Sequence, residues 1–229
     1  MTSKQNNEIS LRGLSSKNII DYENAFFWFS NPARLNKTLA HYDLYKYIVN
    51  LPGDVFELGV YKATSLVRWA SFRNLLENDF SRKIVGMDAF GEFPTDKIES
   101  SNDKKFITKF ELAGGHGLSL QEIDELMRRK GFQNFDLNQG NIFTTLPIYL
   151  EQNPHTRLAL LHLDMDVKEP TAFALDILYD RLVPGGIVVI DDYNSVAGAT
   201  EAVDEFISKK SLKLEKLTHY YVPTFFRKP

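Results

Sequence analysis

Two apolar runs of strand length in this chain end on carboxylates. Leu160-Leu161-His162-Leu163 runs into Asp164-Met165-Asp166, and Ile187-Val188-Val189-Ile190 runs into Asp191-Asp192-Tyr193. Unbroken apolar runs mark strands buried on both faces, the condition of a parallel sheet covered by helices. Ligands of open α/β sheets bind beyond the carboxyl ends of the strands. Two neighbouring strands that end this way bring three or four acids to one edge, and clustered carboxylate oxygens suit a hard cation such as Mg²⁺. A third run, Asp54-Val55-Phe56-Glu57-Leu58-Gly59-Val60, sets an acid and a glycine where a first strand turns into its helix. The combination points to a nucleotide-like cofactor beside a metal.

The 229 residues suffice for one large α/β domain, alone or with a small appendage. Positive and negative charges are interspersed, 27 Lys and Arg against 30 Asp and Glu. They form no basic stripe of the kind a phosphate backbone needs, so nucleic acid is not the expected partner. The lack of Cys removes disulfides, thiolate ligands and a Cys nucleophile. No apolar stretch approaches the roughly 20 residues that span a bilayer, and the polar start at 1–7 has no signal-peptide apolar region. A soluble, cytoplasmic protein without a membrane partner is expected.

Residues 1–18 are polar and expected to fray. Aromatics at 22–29 and the periodic set Leu35, Leu39, Tyr42, Leu44, Tyr45 and Ile48 predict an N-terminal helical cap over 1–50, ended by Pro52-Gly53. Strands are predicted at 54–60, 83–88, 134–139, 158–164 and 187–191. Helices are predicted at 63–76, 119–130, from 144 or 145, at 171–181 and at 201–209. A closing hairpin at 213–217 and 220–227 completes the pattern. The stretch 91–133 is a long insertion, irregular up to 118, and long insertions in compact domains serve as lids. The β-α-β order gives a Rossmann-like, seven-stranded, mostly parallel sheet with helices on both faces and an antiparallel C-terminal strand.

At the first turn, a glycine lets the backbone approach a ligand while the helix N-terminus offers free N–H donors. Asp88, at the end of the second strand, is placed to take two ribose hydroxyls, or else to serve as a loop or cap carboxylate. Gly59-Val60-Tyr61-Lys62-Ala63-Thr64 does not follow G-x-G-x-x-G, so a pyrophosphate is poorly cradled. S-adenosylmethionine, which has an adenosine and a cationic sulfonium but no phosphate, fits better beside Glu57.

These pieces resemble the class I S-adenosylmethionine-dependent methyltransferases, and more closely the macrocin O-methyltransferase family that methylates sugar hydroxyls. The resemblance rests on Phe56-Glu57-Leu58-Gly59-Val60, Gly86-Met87-Asp88-Ala89-Phe90, the 140–147 turn, Leu163-Asp164-Met165-Asp166 and Pro184-Gly185-Gly186 through Tyr193. It continues in Ala202-Val203-Asp204-Glu205-Phe206 and spans roughly 50 to 210. It implies a methyltransferase domain over 51–229. Cofactor contacts are implied for Glu57, Gly59, Tyr61, Ser65, Asp88, Ala89, Gln139, Gly140, Asn141 and Asp164. It further implies Mg²⁺ on Asp164, Asp191 and Asp192, with Asp164 as general base. Ala63 stands where the family usually has a glycine, and Lys168-Glu169-Pro170-Thr171 where it commonly has Tyr-Glu-Ser-Thr.

His116, in the glycine-rich part of the insertion, is the histidine best placed to meet an acceptor. His162, inside an apolar strand, reads as a packed, hydrogen-bonded residue, and His41 falls on the helix expected to cover the cofactor. The Phe26–Phe29 cluster reads as core or as a contact in a homo-oligomer. The expected acceptor is a hydroxyl of a sugar, on a nucleotide sugar, a surface polysaccharide precursor or a glycosylated natural product. Three rivals remain at this stage: a catechol-like acceptor, a nicotinamide-dependent oxidoreductase and a non-catalytic Rossmann-like partner protein.

Overall fold

The computed structural model describes residues 8–229, so the polar start at 1–7 lies outside the described residues. A hairpin of β1 (Ser10–Leu11) and β2 (Leu14–Ser15) opens the described chain, which corrects the expectation of fraying through residue 18. It is tied down by Arg12, which donates to both oxygens of Glu122 and to the carbonyls of His116 and Gly117. Two helices follow, α1 (Ile19–Phe29) and α2 (Pro32–Lys46), the second capped by Asn31 with Pro32 at its first position.

The Rossmann-like core then alternates strand and helix. Its elements are β3 (Asp54–Leu58), α3 (Thr64–Leu76), β4 (Ile84–Asp88), α4 (Ser101–Gly114), α5 (Leu120–Arg129), β5 (Phe135–Gln139) and α6 (Ile142–Gln152). They continue as β6 (Leu158–Leu163), α7 (Lys168–Leu178), β7 (Leu182–Ile190), α8 (Ala197–Lys210), β8 (Glu215–Lys216) and β9 (Thr224–Arg227). The sheet order is β5-β4-β3-β6-β7-β9-β8; the first five strands are parallel and β9 runs antiparallel to β7. This is the predicted seven-stranded, mostly parallel sheet.

Both faces of the sheet are covered. Val55 and Leu160 pack with Leu44, Trp69 and Ile123 on one side, while Phe56, Leu161 and Ile190 pack with Leu146, Leu175 and Val203 on the other. Each such side chain contributes about 1.5–3 kcal/mol by leaving water. Every residue of β6 is buried, including His162, which explains why its sequence shows no alternation.

Three predicted boundaries are corrected. The stretch before residue 118 is not irregular: α4 forms there, capped by the Ser100 hydroxyl, and Asp103 docks it by accepting the Lys168 N–H at the start of α7. The polar sequence of α4 hid it, because only Asp103 and Ile107 are buried. Pro184-Gly185-Gly186 does not precede the fifth strand of the parallel set but lies within β7, as an irregularity where pairing passes from Leu158↔Leu182 to Leu160↔Ile187. Helix α6 starts at Ile142 because Asn141 caps it, two or three residues earlier than predicted. None of the described helices is long and apolar enough to cross a membrane.

Candidate active site

Register builds the site. Leu58 pairs with Leu163 and Leu163 with Ile190, so the three chains emerge side by side as Gly59, Asp164 and Asp191. The Asp164 N–H donates to the Leu58 carbonyl and the Asp191 N–H to the Leu163 carbonyl, at 2.9 and 3.0 Å. Gly59 has a φ of +88°, and a Cβ there would collide with the Asp164 carbonyl. Only glycine serves at this crossing.

Beyond these tips opens a cleft. Gly59, Tyr61, Asp88, Ala89, Gly140, Asn141, Asp164 and His116 all line it. Glu57 and Ser65 do not. They lie buried beneath it, joined by a 2.9 Å bond from the Ser65 hydroxyl to Glu57. Gln139 is exposed at the strand end and donates to the Ala89 carbonyl.

Asp88 is already engaged. Its carboxylate accepts the backbone N–H groups of Val60 (2.6 Å), Tyr61 (3.0 Å) and Phe90 (2.6 Å). It thus shapes the first turn, as a loop carboxylate does. Asn141 donates to Asp96 at 2.7 Å.

The acids at the other strand tips are crowded. One oxygen each of Asp164, Asp191 and Asp192 lies within 4.8 Å of the others, a spacing compatible with one cation. Asp166, at a positive φ of 64°, donates its N–H to Asp192. Burial and the charges of Asp191 and Asp192 push the Asp164 carboxyl well above its usual range. Burial, Asp166 and Asp191 do the same to Asp192. Asp166 is pushed up to about 7 by burial, Asp164 and Asp191. Asp191 goes the other way, because His162, His41 and Lys37 outweigh its burial and hold it well below the usual range. The cluster therefore sets four carboxyls against Lys37 and His162, an excess of acid with hard oxygen donors, a set that fits Mg²⁺.

Sequence reasoning missed Lys37 and the importance of His162. Lys37 reaches Asp191 Oδ2 at 2.5 Å from α2, and His41, one turn further along the same helix face, lies 3.9 Å from Asp191 Oδ1. A lysine and a histidine four apart on a helix with a buried face was the available signal. His162 lies between Glu57 Oε2, 3.2 Å from its Nδ1, and Asp191 Oδ1, 3.7 Å from its Nε2. Burial opposes its charge, but Asp191 and Glu57 together push it up to about 10. The Nδ1 proton then belongs to Glu57, so the Trp69 indole nitrogen 3.4 Å from the same atom is a packing contact. Burial lowers His41 to about 3.

Lys168 pairs with Glu201 and Glu205 rather than Asp166, and neither Asp191 nor Asp192 caps α8 through its side chain. The Phe26–Phe29 cluster is not core: Phe27, Trp28 and Phe29 are 61, 69 and 81% exposed.

Sheet order and cleft are those of the class I methyltransferase fold. The solved O-methyltransferase NovP shares it, with a TM-score of 0.72 at 22% identity over 83% of this chain and 78% of that one. Residues 37–228 match the Macrocin-O-methyltransferase (TylF) family, and the chain belongs to it. It is 28% identical over 160 residues to the 8-demethyl-8-(2,3-dimethoxy-alpha-L-rhamnosyl)-tetracenomycin-C 4'-O-methyltransferase of Streptomyces olivaceus, covering 68% of this chain and 58% of that relative. It is 28% identical over 175 residues to the Demethyldecarbamoylnovobiocin O-methyltransferase of Streptomyces niveus, covering 74% and 63%. The chain thus spans about three fifths of the length of these curated relatives.

Proposed function

We propose that this protein is an O-methyltransferase that moves a methyl group from S-adenosylmethionine to a hydroxyl of a sugar, borne on a nucleotide sugar, a surface polysaccharide precursor or a glycosylated natural product. The observation that carries this reading is the double position of Asp164, which lines the cleft and also belongs to the acid group with Asp191 and Asp192. Family membership and the rhamnosyl group in the name of the Streptomyces olivaceus relative support the acceptor class.

In this reading Gly59, Tyr61, Ala89, Gly140 and Asn141 contact the cofactor directly. Asp88, already bonded to the first turn, holds that turn in shape; Glu57 and Ser65 support it from below, and Gln139 braces Ala89. S-adenosylmethionine supplies an electrophilic methyl on a sulfonium. Asp164, Asp191 and Asp192 would hold Mg²⁺, which lowers the pKa of a hydroxyl. Asp164, which lines the cleft, takes the acceptor proton as general base. Lys37 fixes Asp191 in place. His116, exposed on the turn after α4, meets the acceptor, and the 91–133 segment acts as the lid. The exposed aromatic end of α1 supports self-association, which light scattering on the full chain tests.

The test is transfer of labelled methyl from S-adenosylmethionine to a panel of nucleotide-activated deoxysugars, glycosylated aglycones and catechols, with and without chelator. Methylation of the sugar panel, lost with chelator and restored by Mg²⁺, is expected. Methylation of catechols alone would overturn the acceptor class, and binding of NAD without binding of S-adenosylmethionine would overturn the enzyme class.

A further inference from the structure

A second cluster lies behind the acid group, and the proposed methyl transfer does not use it as a site. His41, His162 and Asp191 each offer one ligand atom, and these atoms lie within 4.8 Å of one another. Both histidines are fully buried. Both ring nitrogens of His41, Nε2 of His162 and Oδ1 of Asp191 have no hydrogen-bond partner. Buried polar atoms without partners are rare, and here they converge.

The spacing identifies what fits between them. Asp191 Oδ1 is 3.9 Å from His41 Nε2 and 3.7 Å from His162 Nε2. Direct hydrogen bonds need about 2.8–3.0 Å, so neither histidine reaches the carboxylate. Two groups bonded tetrahedrally to one water stand about 4.6 Å apart, given ~2.8 Å bonds. Two ligands of a zinc-class ion, each about 2.0–2.1 Å from it, stand about 3.3–3.4 Å apart at the tetrahedral angle. The observed distances lie nearest the last case and need inward movement of about 0.3–0.6 Å.

The surroundings have the form of a ligating histidine's support. Glu57 Oε2 is 3.2 Å from Nδ1 of His162, the carboxylate–histidine pairing that fixes ring orientation and raises ligand basicity. His41 stacks on Trp69, with ring centroids 4.6 Å apart and planes 17° from parallel. Asp191 turns Oδ1 toward the histidines and Oδ2 toward Lys37, so its two oxygens face different neighbours.

We infer that His41, His162 and Asp191 form a buried binding site for a borderline divalent cation of the zinc class, distinct from the carboxylate site proposed for Mg²⁺ and joined to it through Asp191. The ion binds neutral imidazoles, so any proton on Nε2 of His162 is released to solvent as the ion enters, while Nδ1 keeps its proton for Glu57. The nitrogen-rich donor set favours Zn²⁺, Co²⁺ or Ni²⁺ over Mg²⁺.

The full chain, stripped with chelator, is titrated with Zn²⁺ by calorimetry in excess Mg²⁺, and the Co²⁺ form is examined by X-ray absorption. One tightly held ion per chain and two nitrogen scatterers at about 2.0–2.1 Å are expected. His41→Phe, which keeps an aromatic ring on Trp69, should weaken Zn²⁺ binding more than tenfold, whereas Asp164→Asn should leave it within a few-fold. No Zn²⁺ uptake, an all-oxygen Co²⁺ shell, or loss of uptake in Asp164→Asn with none in His41→Phe would overturn the inference. The absorption measurement on the unsubstituted chain decides the matter even if a variant fails to fold.

Discussion

Asp88 at the tip of β4 and the acids at the tips of β6 and β7 begin as the same sequence feature, a carboxylate after an apolar run, and reach opposite states. Asp88 spends its oxygens on three backbone N–H groups. Asp164, Asp166 and Asp192 face other acids, and burial and that crowding raise all three. A strand end places an acid at the sheet edge; what faces it there decides whether it shapes a loop or stays crowded among other acids.

Asp191→Asn separates the two groups most sharply. It should lower methyl transfer by at least ~100-fold, equivalent to about 2.7 kcal/mol of barrier, while calorimetry finds S-adenosylhomocysteine affinity within a few-fold. An equal loss of both would make the acid cluster a cofactor site and erase the contrast. Asp88→Ala should do the reverse, removing the acceptor of three N–H groups and costing about 2 kcal/mol in urea unfolding, with weaker cofactor binding. A variant as stable as the parent chain would show that Asp88 does not hold the turn.

Acidity gives a subtler test. Asp166, raised from 3.8 to about 7, makes the metal-free native state bind more protons than the unfolded chain between those values. Its stabilisation is therefore present below the unfolded pKa and lost as pH rises toward 7, and Asp164 and Asp192 share the sign. Mg²⁺ competes with those protons, so its addition should raise Tm more at about pH 7.5 than at about pH 5.5. Equal rises would mean that the acids are not the ion's ligands. The smallest effect is expected for Lys168→Ala: its partners Glu201 and Glu205 are largely exposed, so Tm and activity should stay unchanged.

The strands were legible because burial on both faces writes an unbroken apolar run, and the acids and Gly59 were legible because they interrupt it. Lys37 and His41 were not, since they come from α2, over a hundred residues from Asp191, and only tertiary packing joins them. His162 looked like packing because its partners Glu57 and Asp191 sit on other strands. Helix α4 escaped notice because only Asp103 and Ile107 of its residues are buried, too few to write an apolar stripe. The engagement of Asp88 depends on the turn conformation, with Tyr61 and Ala63 at positive φ, which no residue type there announces.

The central claim is that the crowded acids hold a divalent cation. Anomalous diffraction from crystals soaked in Mn²⁺, a stand-in for Mg²⁺, tests it most directly. The account predicts a peak bounded by carboxylate oxygens of Asp164, Asp191 and Asp192, absent in Asp191→Asn. No peak in the unsubstituted chain, with Asp191 still bonded to Lys37, would contradict it.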